Sequence, residues 1–138
     1  MFLLDTNVIS ELRSGKPRQS AAVRSWAGAQ PISQLYLSAI TRMKLEIGVQ
    51  RMERRDPAQG TILRSWAEAI LRQFDGRVLP FTSLTALYCA GLHVPDPQSF
   101  RDSMIAATAL EHGFTVATRN VSDFAGAGVQ LVNPFADV

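Results

Sequence analysis

The sequence predicts an α/β fold, a parallel sheet of four or five strands with helices on both faces. Two observations carry this. Short, wholly apolar runs recur along the chain, and the segments between them repeat apolar residues at helical spacing. Runs that are apolar without alternation suit strands buried on both faces, and strands alternating with helices produce a covered parallel sheet. A chain of 138 residues has material for one core, so residues 1–138 are read as one domain, a single α/β sandwich.

Four runs read as strands: Phe2 to Leu4, Leu35 to Leu37, Val78 to Phe81 and Phe114 to Thr118, with a weaker fifth at Val129 to Val132. Val8, Ile9 and Leu12 form one helical stripe, and Ala22, Val23 and Trp26 a second. Leu45, Val49 and Met52 mark a helix that begins after Ser38. Ile62, Leu63, Trp66, Ala69, Ile70 and Phe74 form the clearest stripe, on a helix opened by Asp56-Pro57. Aspartate there is an N-cap, and proline suits a first turn that needs no N–H donor. Leu84, Leu87, Cys89 and Leu92 predict a helix from about Ser83 to His93. A last helix runs from Phe100 to His112 and stops at Gly113, which accepts the left-handed C′ conformation. The stretches Arg13 to Gln19 and Arg51 to Gly60 are polar and read as exposed.

Composition narrows the function classes. Hydrophobic residues make up 46% and charged residues 19%, a globular balance with a net charge of +2. The basic side is nearly all arginine, with Lys16 and Lys44 the only lysines. Arginine suits phosphate, although abundant arginine and alanine equally reflect a GC-rich genome. Cys89 is alone, which excludes an internal disulfide and a cysteine metal cluster. Met1-Phe2-Leu3-Leu4-Asp5 has no basic region before its apolar residues, and no apolar run approaches a span. A cytoplasmic chain without membrane contact is expected.

Parallel sheets place ligands at the carboxyl ends of their strands. Asp5 directly follows the first strand, and Asp123 follows the fourth by a few residues. Asp102 lies in the first turn of the last helix, the end that points to the same edge and favours an ionised carboxylate. Carboxylates converging there repel one another unless a cation joins them, and all-oxygen ligation suits Mg²⁺ or Mn²⁺. Each acid also has a plainer role open to it. Asp5 fits a helix cap, Asp102 fits an approximate capping box with Ser99, and Asp123 fits a turn. Other chemistries are weaker. His93 and His112 lack metal spacing, with His112 placed to interact with a helix dipole. Gly126 and Gly128 make no dinucleotide fingerprint. An aspartyl phosphatase or phosphotransferase would carry a second acid where Asn7 stands.

Three segments resemble one known family. Phe2-Leu3-Leu4-Asp5-Thr6-Asn7-Val8-Ile9-Ser10 resembles the opening of VapC- and FitB-like PIN domains. Arg101 to Ala109 (RDSMIAATA) resembles their acidic helix, and Val116 to Phe124 (VATRNVSDF) their last catalytic segment. The likeness runs from about residue 1 to residue 135, in order and spacing. It implies a PIN-like three-layer α/β/α sandwich and a Mg²⁺- or Mn²⁺-dependent endoribonuclease acting as a toxin. It also implies Asp5 and Asp102 as principal ligands, Asp123 completing the site directly or through water, and Thr118 and Asn120 positioning water or phosphate. The implied partners are an RNA substrate, a second copy in a homodimer, and a VapB-like antitoxin that alone brings the toxin to operator DNA. The copy-to-copy contact is expected on the helix beginning near Ser38 or the one near Pro57.

The chain departs from that family at one consequential position. The family's second acid opens a Glu-Leu-x-x-Gly segment, which here reads Lys44-Leu45-Glu46-Ile47-Gly48. Leu45 and Gly48 set the register, so lysine stands where the acid belongs. Glu46 lies about 200° further round a helix and is no simple replacement. Lys44 is expected to face Asp5 and Asp102 and to depress activity, or alternatively to extend its ammonium into solvent. The competing reading is a weakened PIN domain that binds antitoxin or RNA without efficient catalysis. Thr82, where relatives often carry aspartate, still fits a helix cap.

Overall fold

The computed structural model describes residues 1–13 and 18–136, so residues 14–17 of the polar loop lie outside it. Five parallel strands run in the order β3-β2-β1-β4-β5. These are β1 (Phe2–Leu4), β2 (Leu35–Ser38), β3 (Val78–Leu79), β4 (Thr115–Ala117) and β5 (Leu131–Val132). The helices are α1 (Thr6–Glu11), α2 (Ala21–Ala29), α3 (Ala39–Arg55), α4 (Pro57–Gln73), α5 (Ser83–Leu92), α6 (Phe100–His112) and α7 (Val121–Phe124). None of those described is long and apolar enough to cross a membrane.

Alternate residues of each strand supply two cores. Leu4, Leu35, Leu37 and Ala117 face Val8, Ile9, Val23, Ile70 and Phe74 on one side. Leu3 and Val116 face Ile105, Ala106, Ala109 and Phe124 on the other. Helix α3 straddles the sheet edge, with Ile40 in one core and Leu45 in the other. Central β1 pairs with β2 on one side and β4 on the other. The chain therefore winds outward in both directions from β1, and the switch point lies at its carboxyl end, at Asp5.

The elements differ from expectation where local chemistry intervenes. Strand β3 stops at Leu79, because Pro80 has no N–H to continue a ladder. Arg51 to Gly60 is mostly exposed, as expected, and almost wholly helical. Asp56 ends α3 and caps α4 at once, its Oδ1 accepting from Gln59 N at 3.3 Å. Gly60 is buried where α4 crosses α3. Ser99 makes no side-chain cap on α6, so the expected capping box does not form there. Thr82 and Thr85 form a full capping box on α5. Gly113 takes φ 70°, as a helix-ending glycine does.

Candidate active site

Asp5 leaves β1 and caps α1, and its carboxylate is 3% exposed. Oδ1 accepts from Thr6 N at 2.8 Å. Oδ2 accepts from Thr118 Oγ1 at 2.8 Å and from Asn7 Nδ2 at 3.4 Å. Capping uses one oxygen only, and the other is turned toward β4. Thr118 is fully buried just past that strand. Its hydroxyl proton goes to Asp5, so the same oxygen accepts from Asn120 N at 3.0 Å. The structure brings in Asn120 through its backbone, at the entrance to α7.

Lys44 reaches the same carboxylate. Its Nζ is 3.7 Å from Asp5 Oδ1, and its side chain is 23% exposed. That separation is an ion pair rather than a charge-assisted hydrogen bond, which closes to about 2.8 Å. The first turn of α3 sets the distance. Ser38 caps the helix, and buried Thr41 donates from Oγ1 to the Leu4 carbonyl at 3.4 Å. One turn later the Lys44 stem lies over the end of β1. Glu46 is turned to α4 instead, where both its oxygens meet Arg64 at 2.6 and 3.0 Å. The Arg64 guanidinium holds the Glu46 carboxyl below its usual range.

Asp102 completes the gathering of charge. Its pKa is raised, first by burial and then by repulsion from Asp123 and Asp5, while Lys44 and a hydrogen bond from Ser99 pull it down. With Asp123 of α7 it lines a small cavity of about 60 Å³, together with Ser99, Ser103 and Phe124. Charges from β1, α3, α6 and α7 thus act on one another at the carboxyl edge. Among the described residues, however, no three His, Cys, Asp or Glu side chains stand at common metal-holding range. Asp5, Asp102 and Asp123 share a neighbourhood without forming a preformed cage. Their oxygen donors and mutual repulsion fit a hard divalent cation, and Lys44 supplies positive charge at the same place.

Several contributors carry no signal in composition or period. Asn7 bridges Asp5 to the far loop, its Oδ1 accepting from Arg119 N at 3.1 Å. Its place in Asp5-Thr6-Asn7 was the only clue. Ser103 accepts or donates to His93 Nε2 at 2.9 Å and lies 3.5 Å from buried Cys89 Sγ, behind Asp102. His93 Nδ1 accepts from Gln98 N, so Nε2 carries the proton and donates to Ser103. His112 pairs with neighbouring Glu111. A groove of about 760 Å³, lined by Arg42, Leu71, Arg72 and Asp75, contains none of these acids.

Comparison with known proteins agrees with this architecture. The PIN domain family model matches residues 2–127. The chain is 43% identical to VapC ribonuclease Y4jK of Sinorhizobium fredii, over 98% of each protein. It is 36% identical to toxin FitB of Neisseria gonorrhoeae, over 99% of this chain and 100% of that one. A solved structure of FitAB bound to an IR36 DNA fragment superposes with a TM-score of 0.91 at 35% identity, covering 100% of this chain and 98% of that one. With its five-stranded parallel sheet and its match along nearly the whole length, the chain belongs to the VapC- and FitB-like branch of the PIN-domain family.

Proposed function

We propose that this protein is a toxin endoribonuclease, dependent on Mg²⁺ or Mn²⁺, whose activity is held down by Lys44. The observation that carries the reading is a buried Asp5 carboxylate, oriented by hydrogen bonds from Thr6, Asn7 and Thr118, with Asp102 and Asp123 in electrostatic reach and a lysine ammonium beside it. Asp5 and Asp102 would hold the metal, with Asp123 completing its shell. Bound there, the metal would supply an activated water and stabilise negative charge building on a phosphodiester. Thr118 fixes Asp5 for that task and keeps its second oxygen from rotating. Manganese titration and cleavage of a mixed RNA pool test the reading. Cleavage should vanish with a chelator, and Asp5→Asn should lower it by more than about 100-fold, because losing even an outer-shell partner of a ligand costs up to that much. Cleavage that survives both would overturn it.

A second reading is favoured by the Lys44 contact itself. An ammonium that already neutralises Asp5 leaves a folded PIN domain able to bind antitoxin or RNA with little turnover. Metal-free binding of RNA without cleavage at any Mn²⁺ concentration would select it.

The proposed partners are a VapB-like antitoxin, operator DNA through that antitoxin, and a second copy. Support for the antitoxin is the solved FitAB–DNA assembly of a relative and an open groove of about 400 Å³ lined by Leu12, Ile32, Trp66 and Phe74. For the second copy, exposed apolar side chains concentrate on α5 rather than on α3 or α4. Leu84, Leu87 and Tyr88 are 55%, 70% and 43% exposed, and α5 carries no charged residue. An uncharged apolar face is its own complement about a two-fold axis, because no charge is left facing its like. Leu87→Glu should convert a dimer to a monomer in sedimentation at micromolar concentration. A dimer that persists would place the contact on another face.

A further inference from the structure

We propose that Arg119 is a phosphate-binding positioning residue that holds the backbone of single-stranded RNA beside the acid site. The proposal rests on the ribonuclease reading above. Three carboxylates at the sheet edge repel a polyanion, and among the described residues the one ammonium there, Lys44, is engaged with Asp5. Substrate docking there needs another cation. Arg119 follows Thr118 directly, and its guanidinium lies 4.4 Å from the centre of the Phe135 ring. Among the described residues no carboxylate forms an ion pair with it.

The arrangement is built rather than incidental. Phe135 packs against the core, and its N–H donates to Asn133 Oδ1 at 3.0 Å. A cation–π contact with that ring engages the guanidinium without using its N–H donors on another carboxylate, which leaves donors for phosphate oxygens. It also removes part of the side-chain freedom that binding would otherwise cost. The backbone is tied as firmly. Arg119 N–H donates to Asn7 Oδ1, and the same Asn7 side chain donates to Asp5. One asparagine therefore couples the position of the arginine to that of the carboxylate.

The test is fluorescence anisotropy of a labelled single-stranded RNA of mixed sequence, in chelator so that nothing is cut, over a range of KCl. Each phosphate contact to a single strand contributes about 0.7 to the slope of log affinity against log salt. Arg119→Ala should weaken binding about three- to tenfold and flatten that slope by about 0.7. Arg119→Gln, which keeps the stem over Phe135, should lose the same slope, and Arg119→Lys should retain it. Arg54→Ala, an exposed arginine at the end of α3, should change neither quantity. In the cleavage assay Arg119→Ala should raise KM and leave kcat nearly unchanged. An unchanged slope in both Arg119→Ala and Arg119→Gln, or an equal loss in Arg54→Ala, overturns the proposal alone. Failure of the parent protein to bind RNA overturns it together with the ribonuclease reading.

Discussion

Replacing Lys44 with glutamate is expected to tighten Mn²⁺ binding at least about tenfold and to raise RNA cleavage by about 10- to 100-fold, the range over which metal sites respond to their surroundings. Two effects act in the same direction. The ammonium 3.7 Å from Asp5 Oδ1 leaves, and with it a charge that competes for the same oxygen. A fourth carboxylate then enters from α3, at the turn held to β1 by Thr41. Lys44→Met separates the two contributions, since it removes the cation and adds no ligand. It should fall between the parent and Lys44→Glu in both calorimetric titration and cleavage. Equal metal affinity in parent and Lys44→Glu would show that position 44 does not face the metal.

Gly60→Ala is expected to destabilise the fold by about 3 kcal/mol, the upper part of the range for overpacking, and to lower Tm by roughly 10 °C in a chain of this size. A Cβ at Gly60 would stand 2.5 Å from Glu53 Cα and 2.8 Å from Glu53 N. Those are backbone atoms of α3, so no rotamer change relieves the clash and the two helices must part. The crossing of α3 and α4 also carries the Arg64 bridge to Glu46 and Glu53, which would lengthen with them. Gly28→Ala provides the opposite sign. Nothing lies within 4 Å of its added Cβ, and alanine in an exposed helix turn gains up to about 1 kcal/mol over glycine. Urea denaturation of both variants measures the contrast. Parent-like stability for Gly60→Ala would mean that the helices cross elsewhere.

The strands and long helices were legible because burial imposes its period on the sequence. Asp56-Pro57, Thr82 and Gly113 mark boundaries through backbone chemistry that admits few other residues, and each stands at a helix end. Helix α7 was not legible. Four residues make little more than one turn, so Asn120 to Phe124 carries no period and reads as a loop. Ser99-x-x-Asp102 shows the reverse limit: a capping pattern was present, yet Ser99 does not cap α6 with its side chain. At the site, the position of Lys44 followed from the resemblance, whose Glu-Leu-x-x-Gly register puts lysine where the family's acid belongs. The couplings through Asn7 and Thr118 did not, since they join residues more than a hundred positions apart. Pairings of that kind leave no trace in any local window.

The central place of β1 has a consequence for synthesis. Asp5 is made well before that quarter of the sequence which holds its hydrogen-bond donor Thr118 and the flanking β4, 113 positions separating Asp5 from Thr118. Until that quarter leaves the ribosome, β1 has one open edge and Asp5 lacks the hydroxyl that orients it. The loop that must close between them is long, and such contacts form late. A growing chain therefore carries its first acid without an assembled site until Thr118 and β4 have followed it. For a member of a family whose relatives are ribonucleases, the order of the strands is itself a delay.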